Sequence, residues 1–584
     1  MVMAPSSFRL ACLAWTSLLL AGCPAPEALN ETDSQSGTTG PKTTGPETTT
    51  GDCPIGMLGC PCTGGGACDP GLTCNLEQLC EPEAGSSTDA QTTAVSSTTS
   101  GTEDTTDTTS SGSSTGDPSE CTPTGDEKES EECRTLDPAR PFCGGDGVCI
   151  GCGAAGKNAC DTATEGMRPI CLPGGACVEC DSASAHLNGQ CGEASPHCNL
   201  DTFTCEGCFE HKECPQTACE VKARKCFPPE KIIYVRRGPT PANPCTGNLG
   251  GGGTMAMPYC DIETALSSVI KGGYSSGYTF YVMPSDDTAD HGPVFIPGGA
   301  DVPVSYAFVH APGGPFDPHT RFFGDGPMIT VPGNVSLYVV NFSIILSNDA
   351  FLDSAVGVDC QAQGSVWLDD TRVLYARGVG VRGTDCQVHL RRSSVAFGYS
   401  EGADIKGGSL NMTNSFITEN TYTNKYGGGA VRLRTGATGA PKVDIVYSTL
   451  VNNANEPLKN LGDTINCEGP ATVNVRNSVL GRKPGTGNAG VVCPDGVVSV
   501  SRSIVDGDFD EGGNTKLAAE DISTKYLKSV PLTGAYKIVE AYAQVFAMVA
   551  QWQLGDVHFD YDLEPRNASP GGPDYAGADV FHVP

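Results

Sequence analysis

The sequence predicts an all-β protein built mainly from a parallel β-helix, a stack of coils whose strands pair from one coil to the next. Three observations predict this fold. A short apolar pattern, seen for example as VNVRNSVLG, recurs seven times between residues 337 and 505. The repeats start at intervals of about 22 to 33 positions, which fits one coil each with loops of different length. Few two-residue Asn-Gly or Asp-Gly turns separate them, which disfavours the alternative of tandem hairpins in a β-sandwich.

Each repeat begins at an apolar residue, called its anchor here. The anchors are Leu337, Val366, Val388, Leu410, Val443, Val473 and Val498. The residues two and seven positions after every anchor are also apolar, which requires a bend between them, because one straight strand points such residues to opposite sides. An apolar pair precedes most anchors, so we expect three strands in each coil. Six of the seven side chains at position +5 are Ser or Thr, and we predict that they form a stacked ladder at the bend.

Residues 1–22 are typical of an export signal. Arg9 precedes an apolar run at 10–20 that is too short to span a bilayer. The run ends in Leu-Ala-Gly-Cys, which resembles the bacterial lipobox, and this resemblance implies that Cys23 is acylated and begins the mature chain. A plain secretory signal is the alternative. The expected location is the bacterial cell envelope, with Pro24 favouring a lipid anchor in the outer membrane or at the cell surface over retention in the inner membrane.

Two stretches, 23–52 and 83–120, are rich in Thr, Ser and Gly and nearly free of large apolar side chains. Such a composition buries too little surface to offset the entropy of ordering, so both are predicted to be disordered stalks. Residues 53–82, between them, hold six cysteines. In an oxidising compartment this even set predicts a small disulfide module, whose pairing the sequence leaves open.

Residues 121–230 form a cysteine-rich repeat region with 16 cysteines. Its Cys-x-x-Cys pairs end at Cys152, Cys180 and Cys208, so they recur at a constant interval. Zinc ligands use similar spacings, but export and the even count favour disulfides. The modules resemble cysteine-rich repeats in secreted lipoproteins of myxobacteria and their relatives.

The β-helix domain is predicted to span residues 231–584. A strand at its start is followed by a short helix capped by Asp261 and by a second strand, 278–284. This order resembles the N-terminal part of pectin-lyase-like right-handed parallel β-helices, in which the helix covers the open end of the stack. The segment 560–581 resembles the end of many exported bacterial β-helix proteins. These resemblances imply a right-handed, pectin-lyase-like β-helix and assign no site to the tail.

Three cysteine pairs of this domain are predicted to be disulfide-bonded. They are Cys467 with Cys493, Cys360 with Cys386, and Cys245 with Cys260. The members of the first two pairs are separated by about one coil, so they stack within disulfide reach. The third pair would close the first loop of the domain. Reduced cysteines buried in the coils are the alternative.

Catalytic candidates come from the pectin-lyase-like resemblance, which implies acidic polysaccharides as substrates. Lyases acting on them use calcium and an arginine or lysine base, and hydrolases use paired carboxylates. The candidates of these types on neighbouring coils are Asp369, Asp370, Arg372 and Arg392. Asp370 and Arg392 both stand four positions after an anchor, so a cross-coil ion pair is the alternative role.

Composition and motifs leave three hypotheses of function. A formal net charge of −32 argues against nucleic acid as a partner, because phosphate binding needs basic patches. The leading hypothesis is a lipid-anchored surface protein that binds carbohydrate or acts in adhesion without catalysis. The alternatives are a polysaccharide lyase or glycoside hydrolase acting on acidic glycans, and a structural spacer of the envelope. We expect the membrane and polysaccharide as partners and no metal or cofactor, with Ca²⁺ needed only by a lyase.

Overall fold

The computed structural model describes residues 72–74, 80–82 and, with gaps, 121–581. The gaps are 123–130, 137–141, 145–147, 153–169, 172–176, 181–190, 192–194, 200–202, 215–216, 238–243, 272–274, 284–290, 299–301, 311–320, 325, 347–354, 421–428, 455–461, 487–489, 508, 510–511, 531–532 and 567–568. Cys23, both stalks and most of the six-cysteine module therefore lie outside the described residues. Within that module, strands Leu72–Cys74 and Cys80–Pro82 pair antiparallel. No helix in the described ranges is long and apolar enough to cross a membrane.

Three long parallel sheets, named A, B and C here, form a parallel β-helix in the second half of the chain. Sheet A consists of Ile232–Val235, Tyr278–Val282, Val304–His310, Val335–Val340, Ser365–Asp369, Gln387–Arg391, Ser409–Thr413, Lys442–Val446, Thr472–Arg476 and Val497–Ser501. Sheet B consists of Val294–Phe295, Ile329–Val331, Val358–Cys360, Val381–Thr384, Glu401–Lys406, Gly429–Arg434, Ile465–Glu468 and Val491–Val492. Sheet C consists of Arg321–Gly324, Ser343–Leu346, Arg372–Leu374, Ser394–Ala396, Phe416–Thr418, Thr449–Asn453, Val479–Arg482, Ile504–Val505 and Thr515–Lys516.

The strand register confirms the repeat pattern. Every anchor from Leu337 to Val498 pairs directly with the anchor of the next coil in sheet A. The side chains at position +7 pair in the same way in sheet C, from Ile344 to Val505. The apolar pairs before the anchors belong to sheet B, so a coil runs through sheets B, A and C in that order. Stacking buries these side chains in one continuous core that no single coil possesses.

The bend between sheets A and C has the same backbone in seven consecutive coils. The residue at position +4 adopts a left-handed conformation, with φ between 45° and 63°, and in none of these coils is it glycine. The residues are Asn341, Asp370, Arg392, Asn414, Tyr447, Asn477 and Arg502. Such a conformation costs an L-residue about 1–2 kcal/mol, so surrounding contacts must hold it in place.

The Ser/Thr ladder at position +5 supplies part of that support. The backbone N–H of Ser415 donates to Oγ of Ser448 in the next coil at 3.3 Å, and the Ser415 hydroxyl donates to the Thr413 carbonyl at 2.9 Å. The N–H···Oγ contact between neighbouring coils recurs from Thr371 to Ser503. The predicted ladder is therefore present, and it joins each hydroxyl to the backbone of the preceding coil.

The N-terminal end of the stack is closed by the helix Ile262–Ile270. Asp261 caps this helix by accepting the Thr264 N–H at 2.6 Å. The apolar face of the helix, including Leu266, is buried in the core of the coils. Three disulfides reinforce the domain: Cys245–Cys260 in the preceding loop, and Cys360–Cys386 and Cys467–Cys493 between consecutive coils.

The cysteine-rich region consists of small hairpins held by interleaved disulfides. Its first described elements are the helix Glu131–Leu136 and the strands Phe142–Cys143 and Cys149–Ile150. The further hairpins are Ile170–Cys171 with Cys177–Val178, His197–Asn199 with Thr204–Glu206, and Cys219–Glu220 with Lys225–Cys226, and short 3-10 helices lie at His211–Glu213 and Pro229–Lys231. The interleaved pairs are Cys121–Cys143 with Cys133–Cys149, Cys180–Cys198 with Cys191–Cys205, and Cys208–Cys219 with Cys214–Cys226. Cys152 is bonded to Cys171.

The chain after sheet C, residues 517–581, folds back over the outside of the coils and is called the tail here. Its elements are Ala519–Asp521, Ile522–Tyr526, Glu540–Tyr542 and Ala543–Phe546, and the hairpins Leu527–Ser529 with Tyr536–Ile538 and Ala550–Gln551 with Pro573–Asp574. Trp552 and Phe546 are fully buried in an apolar cluster with Phe416 of sheet C and Tyr447 of the bend. The tail thus covers the outer face of sheet C.

Candidate functional site

The last cysteine-rich repeat, residues 208–227 and called the terminal repeat here, packs on the outer face of sheet A. Its Ala218 and Phe227 are buried against Tyr338 and Trp367 of the sheet. The rings of Tyr338, Trp367 and His389 come from consecutive coils and stack with centroid separations of 4.6 and 4.5 Å. Because the terminal repeat covers this stack, the face is closed to a polymeric ligand.

Asp369 lies at the centre of a buried polar network under the terminal repeat. It is 1% exposed and accepts hydrogen bonds from Arg391 of the next coil at 2.9 and 3.1 Å. The same arginine donates to the Phe209 carbonyl of the terminal repeat at 2.5 Å. Nε2 of His211, also in the repeat, lies 3.2 Å from Oδ2 of Asp369. The carboxylate therefore joins two coils and the terminal repeat.

Asp370 and Arg392 form a second, parallel ion pair. Nε and Nη2 of Arg392 donate to the two oxygens of Asp370 at 2.8 and 2.9 Å. Nη1 of Arg392 lies 3.0 Å from Oε2 of Glu210 in the terminal repeat, and the arginine is 2% exposed. Burial would raise the pKa of Glu210, but Arg392 and Arg391 outweigh it and hold that pKa well below its usual value.

The four catalytic candidates are thus brought into contacts of a structural kind. Asp369, Asp370 and Arg392 lie in the network under the terminal repeat, as the ion-pair alternative expects for Asp370 and Arg392. Arg372 starts a strand of sheet C and interacts instead with Tyr561 of the tail. Neither the three residues under the terminal repeat nor Arg372 presents a free carboxylate or base to an open groove. The geometric basis for catalysis by these four residues is therefore missing.

An open cleft of about 250 Å³ lies on the outer face of sheet B. Its walls come from three successive coils and carry more cationic than anionic groups. The polar and aromatic side chains that line it are Arg377, Arg382, Tyr399, Ser400, Glu401, Asp404, Arg432 and Arg434. Four guanidinium groups and two carboxylates line the cleft, and Glu468 also pairs with Arg432 at 2.7 Å. The lining is thus rich in arginine on a protein whose net charge is −32.

Alternation along the strands places these charges on the outside of sheet B. Val431 and Leu433 point into the core, and Arg432 and Arg434 between and after them point outward. Nη1 of Arg432 lies 3.1 Å from Oε1 of Glu401, and Nε of Arg434 donates to Oδ1 of Asp404 at 3.0 Å. Cross-coil pairs of this kind hold the guanidinium groups in position.

Burial acts on the ionisation of one cleft carboxyl group. It raises the pKa of Glu401, and the bonds from Ser400 and Arg432 only partly oppose that effect. The pair with Arg432 therefore only partly offsets the cost of burying this carboxyl group.

An aromatic corner borders the cleft where sheet C leads to sheet B. Tyr375 and Phe397, in equivalent positions of two coils, stack at 5.4 Å, and both have φ of 58°. Two positions further along, the guanidinium of Arg377 lies 5.2 Å from the centre of the Tyr399 ring. These side chains belong to the two shortest coils of the repeat pattern, which leave little room for a loop at this corner.

No described cluster forms a convincing metal site. Three triplets of cysteines, such as Cys208, Cys214 and Cys226, have sulfur atoms close together, but the cysteines are bonded in disulfides. The remaining cluster, within the described ranges, is Asp560, Glu564 and Asp579 in the tail. Asp560 accepts backbone N–H groups of Asp562, Glu564 and Val580 at 2.8–2.9 Å, which gives it a structural role without an ion.

Comparisons with known proteins bear on the fold and on the cysteine-rich region. Residues 114–232 match a family of unknown function, DUF8331, which spans the cysteine-rich repeats up to the first strand of sheet A. No curated protein matches the chain in sequence. Among solved structures, the chain is similar to the crystal structure of pectate lyase Pel9A, with 12% identity, coverage of 58% of this chain and 96% of that chain, and a TM-score of 0.31. A score this low carries no argument about function, and the parallel β-helix is established by the three sheets themselves.

Proposed function

We propose that this chain is a lipid-anchored protein of the bacterial cell surface whose β-helix binds acidic carbohydrate without cleaving it. The lipid anchor at Cys23 and the envelope location rest on the sequence pattern of residues 1–23. The choice of ligand rests on the cleft of sheet B, with its four arginines and bordering aromatic rings.

The cleft supports this proposal because it combines access with suitable chemistry. The terminal repeat covers sheet A around Tyr338 and Trp367 and the tail covers sheet C, whereas the cleft on sheet B is open. The later coils of sheet A are also open, but their described outward side chains, such as Lys442, Asp444 and Asn474, include no cluster of arginines.

Guanidinium groups bind carboxylates through paired hydrogen bonds, and they fit uronate or sulfate groups. Flat aromatic faces such as those of Tyr375 and Phe397 supply apolar contact area for a sugar ring.

Non-catalytic binding is favoured over lyase or hydrolase activity by the state of the charged groups. The arginines at the bottom of the cleft, Arg432 and Arg434, are paired with carboxylates, and the raised pKa of an arginine such as Arg432 makes it a poor base. The cleft carboxyls, Glu401 and Asp404, are engaged by these same arginines, which leaves no separate pair for acid and base catalysis.

Affinity electrophoresis tests the proposal with the purified chain, in gels containing polygalacturonate, alginate or neutral dextran. We expect retardation by the acidic polymers, none by dextran, and no ultraviolet absorbance from unsaturated products with or without calcium. The double variant Arg377→Gln/Arg382→Gln should lose the retardation. Arg502→Gln/Lys528→Gln, which removes two exposed charges outside the cleft, should keep it.

Three outcomes would contradict the proposal in different ways. Unsaturated or shortened products would favour the lyase or hydrolase alternative. Equal loss of retardation in both double variants would reduce the effect to net charge, without a site. Absence of retardation in every polymer would favour a spacer of the envelope.

A further inference from the structure

His211 of the terminal repeat is buried, and the contact made by its Nδ1 requires the neutral form of the ring. Its Nδ1 accepts the backbone N–H of Cys219 at 2.9 Å, so the ring proton lies on Nε2, 3.2 Å from Oδ2 of Asp369. The side chain is 3% exposed, and the edge of its ring meets Tyr338 of sheet A at 5.4 Å. One side chain thus bonds the terminal repeat internally and faces the sheet.

A second proton on His211 would disrupt both roles. It would take the lone pair of Nδ1 that accepts the Cys219 N–H, and leave that donor unsatisfied in the interior. It would also place a cation among charges from sheet A, of which Asp369 and Asp370 attract it and Arg391 and Arg392 repel it. Because the two arginines are already paired with those two aspartates, the attraction is shared and burial dominates.

Protonation of the carboxylates between the terminal repeat and sheet A weakens their contact, as protonation of His211 does. Glu210 and Asp369 are ionised and bound to Arg392 and Arg391, respectively. Protonating Asp369 would leave Arg391 without its carboxylate partner, and protonating Glu210 would remove one of the two carboxylates that pair with the buried Arg392.

His389 of sheet A is a fourth titrating group at this contact: it is stacked on Trp367, and burial and Lys222 of the repeat lower its pKa to about 4. Protonation of any of these four groups weakens the contact between repeat and sheet.

We propose that the terminal repeat is an acid-released cover of sheet A. It is bound at neutral pH, and it detaches as the pH falls towards 4 and exposes the stack of Tyr338, Trp367 and His389. Two disulfides, Cys208–Cys219 and Cys214–Cys226, keep the detached repeat folded, and residues 228–231 keep it tethered to the first strand.

The direction of the effect follows from proton linkage. Burial lowers the pKa of His211 to about 4, from a usual value of 6.5. His211 binds its proton less readily when the repeat is attached than when it is free. Attachment is therefore strongest above pH 6.5 and weakens progressively as the pH falls from 6.5 to about 4. The arginines lower the pKa values of Glu210 and Asp369 although burial opposes them. Below the usual pKa range of carboxyl groups, these two residues therefore further weaken attachment of the repeat.

Tryptophan emission separates release of the repeat from unfolding of the domain. The chain has three tryptophans, and Trp15→Phe leaves Trp367 under the repeat and Trp552 under the tail. In that background, Trp552→Phe isolates the signal of Trp367, and Trp367→Phe isolates that of Trp552. We expect Trp367 to shift to longer wavelength and become accessible to acrylamide between about pH 6.5 and 4, while Trp552 does not change.

The control variant is His211→Asn, whose side-chain oxygen can still accept the Cys219 N–H but does not titrate. It should shift the midpoint of the Trp367 transition to lower pH, because only one of the two buried histidines then titrates on release. His389→Asn should shift the midpoint in the same direction, and the double variant should leave a transition only below about pH 4.5, where the carboxylates act. Hydrogen exchange of the chain without substitutions supplies a second measurement: residues 209–213 and 365–369 should lose protection at pH 5 before the other strands of sheet A.

The proposal is overturned if His211→Asn leaves the transition unchanged, or if Trp367 and Trp552 respond at the same pH. It is equally overturned if Trp367 stays buried and residues 209–213 stay protected down to pH 4.

Discussion

The terminal repeat and the tail both cover a face of the β-helix, but they are held by opposite kinds of contact. The terminal repeat is joined to sheet A through buried polar contacts such as the Glu210–Arg392 ion pair, beside a modest apolar contact. The tail is joined to sheet C mainly through a large apolar cluster around Trp552 and Phe546. Apolar burial has no pH dependence of its own, whereas buried charges carry one. Acid therefore weakens the attachment of the terminal repeat, whereas the tail is held mainly by apolar contacts that do not titrate.

The titrating groups of the tail act in the opposite sense to those of the terminal repeat. Burial raises the pKa of Asp579 to about 8 and that of Asp560 to about 6, and the charge of Asp562 adds to both effects. A raised pKa in the folded state stabilises that state in acid, and the stabilisation is lost as the pH rises through the raised value. Acid therefore favours the tail while it weakens attachment of the terminal repeat.

Among substitutions beneath the terminal repeat, Asp369→Ala is expected to lower the stability most. This change leaves Arg391 without its counter-charge in a buried site, and the loss of unfolding free energy should be about 3–5 kcal/mol. Urea unfolding at neutral pH measures it. Glu468→Gln is the matched control, since Glu468 also pairs with an arginine, Arg432, but is 37% exposed. It should cost less than about 1 kcal/mol, and equal losses in the two variants would refute the contrast between covered and open faces.

A smaller effect is expected when the tail loses its buried arginine. Nη2 of Arg566 donates to the Asn414 side chain at 3.0 Å and to the Gly577 carbonyl at 2.8 Å, and its guanidinium lies 4.1 Å from the centre of the Tyr447 ring. Arg566→Met keeps most of the apolar stem and should cost about 2–3 kcal/mol, measured from urea unfolding followed by Trp552 emission. The exposed Arg502→Met should change stability by less than about 0.5 kcal/mol. A loss in Arg566→Met as small as that control would show that the apolar cluster alone holds the tail.

The smallest effect concerns the pH dependence of the tail. Between about pH 6 and pH 8, Asp579 should lower the stability of the tail by about 1.4 kcal/mol per pH unit, because only the folded state binds its proton. Asp579→Asn, which keeps an acceptor for the Ile538 N–H, should flatten this slope. Thermal unfolding at several pH values, followed by Trp552 emission, compares the two proteins. A slope unchanged by the substitution would assign the pH dependence to other groups.

The fold was predictable because one coil cannot bury its apolar side chains and must repeat them at fixed positions. Val473, Val475 and Leu480 mark those positions in one coil, and the register places each of them against its equivalents above and below. Asn or Asp signals the left-handed conformation at position +4 in four of the seven coils, but Tyr447 and Arg392 carry no such signal. The neighbouring ladder and the tail hold it, and those contacts are set by the stack.

The candidate site was less predictable than the fold. Asp370 and Arg392 could be paired from the sequence because they share one position in neighbouring coils. The role of His211 could not, since it belongs to the cysteine-rich region and meets Asp369 only after that region folds back over sheet A. The cleft was also missed, because Arg377 and Tyr399 lie in corners between strands, where the periodic pattern gives no information.

The position of the terminal repeat also has a mechanical consequence. The chain enters the β-helix at Ile232, at the end strand of sheet A, which has a neighbour on one side only. A force applied to the N-terminal side of the chain would peel such a strand from the sheet easily if the force acted on the strand directly. The terminal repeat, just before Ile232, bonds instead to Asp369, Arg391 and Arg392 in interior coils. Tension is therefore transferred as shear to the middle of the stack, and the first coil is relieved of load.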